Sequence, residues 1–318
     1  GTNEIVEVLE RVLEREPDHV GANHYYIHAT EASLTPERGM KSAKKLETLV
    51  PAAGHLVHMP SHTYMRTGNY AGAMQANAKA ADVDRKYIAE TRADGVYPAM
   101  YFNHNLDFLA SAAMMAGRYA DALKAAQELT ANVLPQLKAM PMLEPFGAKT
   151  LFVQVRFSKW TEVLALPAPP ADATMLTALH HWGRAVAHAG LGASVDAAKE
   201  RDAYRTALQA IPKDTPFNMN PADKIFAVAT AVLDARLAAA DGNTDASIAA
   251  WRAAVTAEDA VSYNEPPDWF YPTRESLGGA LLRAKKYDDA DLIFRQDLER
   301  NPNNGRSLWG RWQAMRAA

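Results

Sequence analysis

The chain has no cysteine, which excludes disulfides, thiolate metal sites and a cysteine nucleophile together. It also lacks a strong charge of either sign: over 318 residues the formal net charge is -3 and the sequence pI is about 6.4. No basic stripe is available to neutralise phosphates, so nucleic acid is not an expected partner. Unbroken apolar runs of the roughly 18 residues that a membrane span requires are missing too. Even the stretch from Ile225 to Ala240 is interrupted by Asp234 and Arg236, and no membrane insertion is expected. Strand-like alternation is weak throughout, and the glycine patterns G-x-G-x-x-G, G-x-x-x-x-G-K and G-x-S-x-G are absent, which removes dinucleotide, P-loop and nucleophile-elbow readings. What remains is 48% hydrophobic and 22% charged, the balance of a soluble globular chain. Nothing in it separates a cytoplasmic from a periplasmic setting.

The residues that are present read as helical hairpins. Near the C-terminal end, Leu277-Gly278, Tyr287, Ala290, Phe294 and Pro302 follow the spacing of a tetratricopeptide (TPR) repeat, whose period is about 34 residues. Small residues belong where two close helices cross, and Phe294 is the side chain that would fill the space left by Gly278 and Ala290. Arg274 stands where the signature has Trp, and Leu281 where it has Tyr.

One repeat cannot bury its apolar face alone. The same order of turn, aromatic and small residue recurs at Gly68-Asn69-Tyr70 with Ala73, at Gly117-Arg118-Tyr119 with Ala122, and at Ser158-Lys159-Trp160 with Val163. Fainter copies stand at Gly190-Leu191-Gly192 and Gly242-Asn243-Thr244. Their uneven spacing predicts longer helices and inserted loops, with roughly six or seven hairpins in all. The expected fold is therefore all-α, a right-handed α-solenoid of degenerate TPR-like hairpins over 1–318. Leu166-Pro167-Ala168-Pro169-Pro170 cannot continue a helix and would divide it into a histidine-rich half, 1–165, and a C-terminal half, 171–318. The opening Gly1-Thr2-Asn3 runs straight into an amphipathic helix, and Ser307 to Ala318 starts a fresh one. Both ends read as the interior of a longer array, the second alternatively as a capping helix.

Histidine is where the chain departs from a plain scaffold. Of 10 histidines, His24, His28, His55, His58, His62 and His104 fall in the first third. His24 and His28 are four apart, so their rings share a helix face, with Glu31 close to it. His58 and His62 repeat that spacing around Pro60. In an array of hairpins the first helices of successive repeats line one groove, so His24, His28, His58, His62 and His104 are candidates to converge on a divalent transition metal such as zinc. The alternative is that these imidazoles are packed and hydrogen-bonded without an ion. Tyr25, Tyr64, Tyr101 and Asn105 are candidate ligand-binding residues on the same helices. So are Glu265, Trp269 and Tyr271 in the stiff segment Asn264-Glu265-Pro266-Pro267-Asp268-Trp269-Phe270-Tyr271-Pro272, which either walls a groove or plugs the end of a helix pair.

The blocks Asn23-His24-Tyr25-Tyr26-Ile27-His28, His55-Leu56-Val57-His58-Met59-Pro60-Ser61-His62, Tyr101-Phe102-Asn103-His104-Asn105 and Asn264 to Pro272 resemble those of a group of bacterial TPR-repeat proteins. The resemblance covers most of the chain. It implies a right-handed superhelix with a concave groove, and it supplies neither a reaction nor a ligand. Two functional expectations follow. In the first, the preferred one, the protein is a scaffold that binds a protein, a peptide segment or a small ligand in its groove. In the second it is a metal-binding protein or metal-dependent enzyme, with Glu31 or Glu265 as a base.

Overall fold

The computed structural model describes residues 2–318 and is helical almost throughout. The helices are α1 (Thr2–Arg15), α2 (Val20–Glu31), α3 (Met40–Leu49), α4 (Gly54–His58), α5 (Pro60–Thr67), α6 (Tyr70–Thr91), α7 (Asn103–Met115) and α8 (Tyr119–Val133). They continue with α9 (Glu144–Gly147), α10 (Lys149–Arg156), α11 (Trp160–Leu164), α12 (Thr174–Gly190), α13 (Ser194–Gln209), α14 (Ala222–Ala240), α15 (Thr244–Asp259), α16 (Thr273–Arg283), α17 (Tyr287–Arg300) and α18 (Gly305–Ala317). Strand structure among the described residues is confined to one antiparallel pair, β1 (Pro216–Phe217) with β2 (Asn220–Pro221), in the proline-bounded insertion before α14. No helix among them is long and apolar enough to cross a membrane.

The hairpin turns explain why the helices stop where they do. Gly68, Gly117, Ser158, Gly192, Gly242 and Lys285 all take a positive φ, between 55° and 78°. That left-handed residue ends one helix and lets the chain fold back. The next helix then begins at Tyr70, Tyr119, Trp160, Ser194, Thr244 and Tyr287. Asn69 and Asn243 cap two of these starts, accepting from the N–H of Gly72 at 3.0 Å and of Ala246 at 3.1 Å. The turns expected from sequence are therefore the turns of the fold. Thr35 differs: its side chain caps nothing, and Pro36 opens a short 3-10 turn ahead of α3.

The chain forms two compact units. The first comprises 1–125 with 300–303, and the second comprises 126–299 with 304–318. The proline-rich 166–170 lies inside the second unit, between α11 and α12.

In the first unit Ile27, Ala43, Leu46, Met59, Tyr64, Ala73 and Ala112 make a buried cluster drawn from α2, α3, α6, α7 and the α4–α5 joint. Met59 is fully buried at that joint with helical dihedrals, so the backbone carries on through Pro60 as if the helix were nearly continuous. A Met59→Ala change there would cost about 2–5 kcal/mol. In the second unit Phe294 sits where a Cβ on Gly278 would come within 2.5 Å of its ring, and a Cβ on Gly310 within 2.2 Å. Thus Phe294 fills the Gly278 gap as expected, and α18 supplies a second glycine on its other side.

Candidate metal centre

Three separate stretches of the first unit bring the six histidines together. On α2, the residues Asn23, Ile27, Thr30 and Glu31 face inward, which turns His24 and His28 onto the adjoining, half-buried stripe. Asn23 ties the start of this helix down by donating to the carbonyls of Pro17 and His19, each at 3.0 Å. The α4–α5 joint carries His55, His58 and His62. His104 stands in the first turn of α7, which follows a π-helical turn over Tyr97–Phe102. Such π turns widen a helix by one residue and recur at functional sites.

The deepest group is His58, His62 and His104, whose ligand nitrogens all lie within 4.8 Å of one another. His58 is 0% exposed and His62 1%, while His104 is half-buried. Phe108 lies against all three rings at 4.8, 4.7 and 5.0 Å and shields them on one side. His58 and His62 face each other with their Nε2 atoms 2.7 Å apart.

The other ring nitrogens determine the tautomers. His62 Nδ1 is 2.7 Å from Glu31 Oε2, and a carboxylate accepts only, so the hydrogen is on Nδ1. His58 Nδ1 is 2.6 Å from Asn77 Oδ1, and Asn77 has its amide nitrogen engaged on the Ala73 carbonyl at 2.8 Å, which fixes the amide's orientation. His58 therefore also carries its hydrogen on Nδ1. With both hydrogens on Nδ1, the two Nε2 atoms face each other as acceptors, and either a proton shared between them or a metal ion would satisfy both. Burial holds the His58 pKa well below its ordinary value, and the neighbouring His62 and His104 depress it further.

A second group, His24, His28 and His55, lies nearer the surface, again with ligand nitrogens within 4.8 Å. His24 Nε2 faces His55 Nε2 at 3.1 Å, and His28 Nδ1 donates to Glu31 Oε1 at 2.7 Å. Burial first, then the nearby His28 and His62, lower the His24 pKa to about 4. The joint beneath both groups is braced by Asp84 on α6. Its carboxylate accepts from Tyr97 and from Asn105, each at 2.7 Å, and burial raises its pKa. A Cβ on Gly54, at the start of α4, would fall 1.9 Å from that carboxylate, so only glycine admits this approach.

All five histidines proposed from sequence as metal ligands, His24, His28, His58, His62 and His104, thus belong to these two groups. His55 was not among them. Its sequence signal is the three-residue spacing to His58 on one helix face, a weaker cue than an i,i+4 pair. Tyr25 is 62% exposed beside His24, and Tyr101 is 42% exposed with its ring 5.0 Å from His55. Asn105 is fully buried and serves Asp84. Tyr64 is buried with its hydroxyl on Glu47 at 2.5 Å, and burial raises its pKa. It lines a different cavity, of about 540 Å³, together with Val57, Asn69 and Lys79.

The aromatic rings of the segment in the second unit are packed into its core. Trp269 and Tyr271 are 3% and 5% exposed, with Trp269 against Trp182 at 5.6 Å and Phe270 stacked on Phe152 at 4.3 Å. Asp268, which a free loop would present, is held by Asn218, Asn220 and Asn264 at 2.8, 2.7 and 2.6 Å. Glu265 lies in the same segment of the second unit.

Among known proteins, no family model and no curated sequence matches the chain. A solved structure titled "Structure of Naa15/Naa10 bound to HypK-THB" aligns with 98% of this chain at 16% identity and a TM-score of 0.29. The chain spans 36% of that protein's length, and a likeness this loose carries no argument about function.

Proposed function

We propose that the first unit is a transition-metal-binding module whose ion is held by His58, His62 and His104. The observation that carries this reading is the pair of Nε2 atoms facing each other at 2.7 Å, each with its Nδ1 on an acceptor oxygen and with a third imidazole beside them. Metal-bound histidines characteristically donate the other ring N–H to a carboxylate or carbonyl oxygen, and Glu31 and Asn77 fill that role here. Two nitrogens bound at about 2.0–2.1 Å to one tetrahedral ion sit roughly 3.3 Å apart, so a small outward shift of the rings accommodates it. Neutral imidazoles favour zinc, copper, nickel or iron over calcium and magnesium. Held by these three imidazoles, an ion would keep a fourth position open and would supply Lewis-acid activation of water there.

Partner binding is the second reading, and the exposed Tyr25 and Tyr101 beside the histidines favour it over a purely structural role. A protein or peptide segment would contact them from solvent.

Elemental analysis of tag-free protein, loaded with zinc or copper and desalted, tests the metal reading. It should retain roughly one ion or more per chain, and His62→Gln should lower the retention at least tenfold with an unchanged helical spectrum. Wild-type protein that is fully helical and retains no ion would overturn it.

A further inference from the structure

Glu31 is shared between the two histidine groups. Its Oε2 accepts from His62 of the buried group and its Oε1 from His28 of the outer one, both at 2.7 Å. Each histidine is thereby held with hydrogen on Nδ1 and its Nε2 lone pair turned away from Glu31. For His62 that lone pair enters the buried triad. His28 itself has a ligand nitrogen within 4.8 Å of those of His24 and His55, whose Nε2 atoms are 3.1 Å apart.

The outer rings are close neighbours of one another, with His24 at 4.9 Å from His28 and 5.1 Å from His55. They also touch the inner group, through His28–His62 at 4.8 Å and His55–His58 at 5.7 Å. We infer that the first unit binds two neighbouring transition-metal ions, the second on His24, His28 and His55, with the Glu31 carboxylate positioning one ligand of each. This rests on the single-ion reading above and extends it.

Two consequences distinguish such a pair from two independent sites. The shared carboxylate neutralises one unit of charge while the two ions bring four, so the second ion enters against the field of the first. Binding is therefore sequential, with the outer step at least tenfold weaker. The outer histidines are half-buried whereas His58 and His62 are fully buried, so the outer ion exchanges faster with solvent.

Titration of metal-free, tag-free protein with cobalt(II), followed by its visible d–d absorption and by calorimetry, tests this. About two equivalents should bind in two steps. His24→Ala/His55→Ala, at half-exposed positions, should lose the weaker step and keep the tighter one. Glu31→Gln should weaken both steps, each about 10–100-fold, which a ligand of only one site would not do. A single equivalent, unaffected by the His24→Ala/His55→Ala change, would overturn the second site and leave the single-ion reading standing. No bound cobalt in helical wild-type protein would overturn that reading and this inference with it.

Discussion

Each unit holds a buried polar network, and the two networks are built in opposite ways. In the second unit Arg156 and Glu275, 1% and 4% exposed at their side chains, form a bidentate pair at 3.1 and 3.0 Å. Asn304 donates to Glu275 at 2.8 Å and to Asp297 at 2.7 Å, and Ser307 donates to Asp297 at 2.5 Å. Donors there meet acceptors and positive charge meets negative. In the first unit the hydrogens of His58 and His62 are spent on Asn77 and Glu31, and lone pairs are turned on lone pairs. A buried network that satisfies itself needs nothing more to be stable, whereas one that concentrates acceptors on a point is the arrangement on which the proposed metal reading rests.

The comparison breaks hardest at Glu275. Glu275→Ala leaves the Arg156 guanidinium buried without its carboxylate, and the expected loss is about 3–5 kcal/mol in urea unfolding. Metal retention per folded chain should not change. If both fall together, the contrast between a structural network and a binding one is wrong.

Next in size is Gly54→Ala. The new methyl must displace the Asp84 carboxylate or tilt α4, so a loss of about 2 kcal/mol is expected. Because α4 carries His55 and His58, ion affinity should drop as well, which calorimetry would show. An unchanged affinity would mean that Asp84 does not set the position of the joint.

The smallest effect is at Glu258 in the second unit. This residue is partly exposed, yet its carboxyl group is enclosed, and burial raises its pKa to about 7 although Thr273 donates to it from its hydroxyl and from its N–H at 2.8 Å. The folded state then holds a proton there that the unfolded state releases near pH 4.5, so stability falls as pH rises from about 4.5 to 7 and is level above that. Glu258→Gln should flatten this slope and stabilise the protein at pH 8 by roughly 1–2 kcal/mol, after allowing for partial exposure. Thermal melts at pH 5 and pH 8 measure it, and an unaltered slope would place the titration elsewhere. Even the second unit, then, is not satisfied everywhere, since buried atoms such as Trp269 Nε1 and Tyr271 Oη also lack a hydrogen-bond partner, and this measurement sets the size of one such cost.

Much of this was readable along the chain. The six turn segments show themselves because a left-handed residue and a following aromatic or capping residue are local requirements, set by the backbone within a few positions. The i,i+4 pairs His24/His28 and His58/His62 are visible for the same reason. The burial of Trp269 and Tyr271 was not, since a stiff aromatic segment suits an exposed and a packed position equally, and only tertiary neighbours such as Phe152 and Trp182 put the rings in the core. His55 shows the same limit from the other side: its spacing to His58 is local, but its partner His24 lies 31 residues away.

Sequence alone determined that this protein would be helical, where its hairpins turn, and which helices carry imidazoles, because each depends on interactions a few residues long. Tertiary structure decided which lone pairs meet. That outcome depends on Glu31, Asn77 and Asp84 arriving from other helices to orient the rings and the joint beneath them, and hydrogen-bond direction between distant segments leaves no periodicity for a sequence to display.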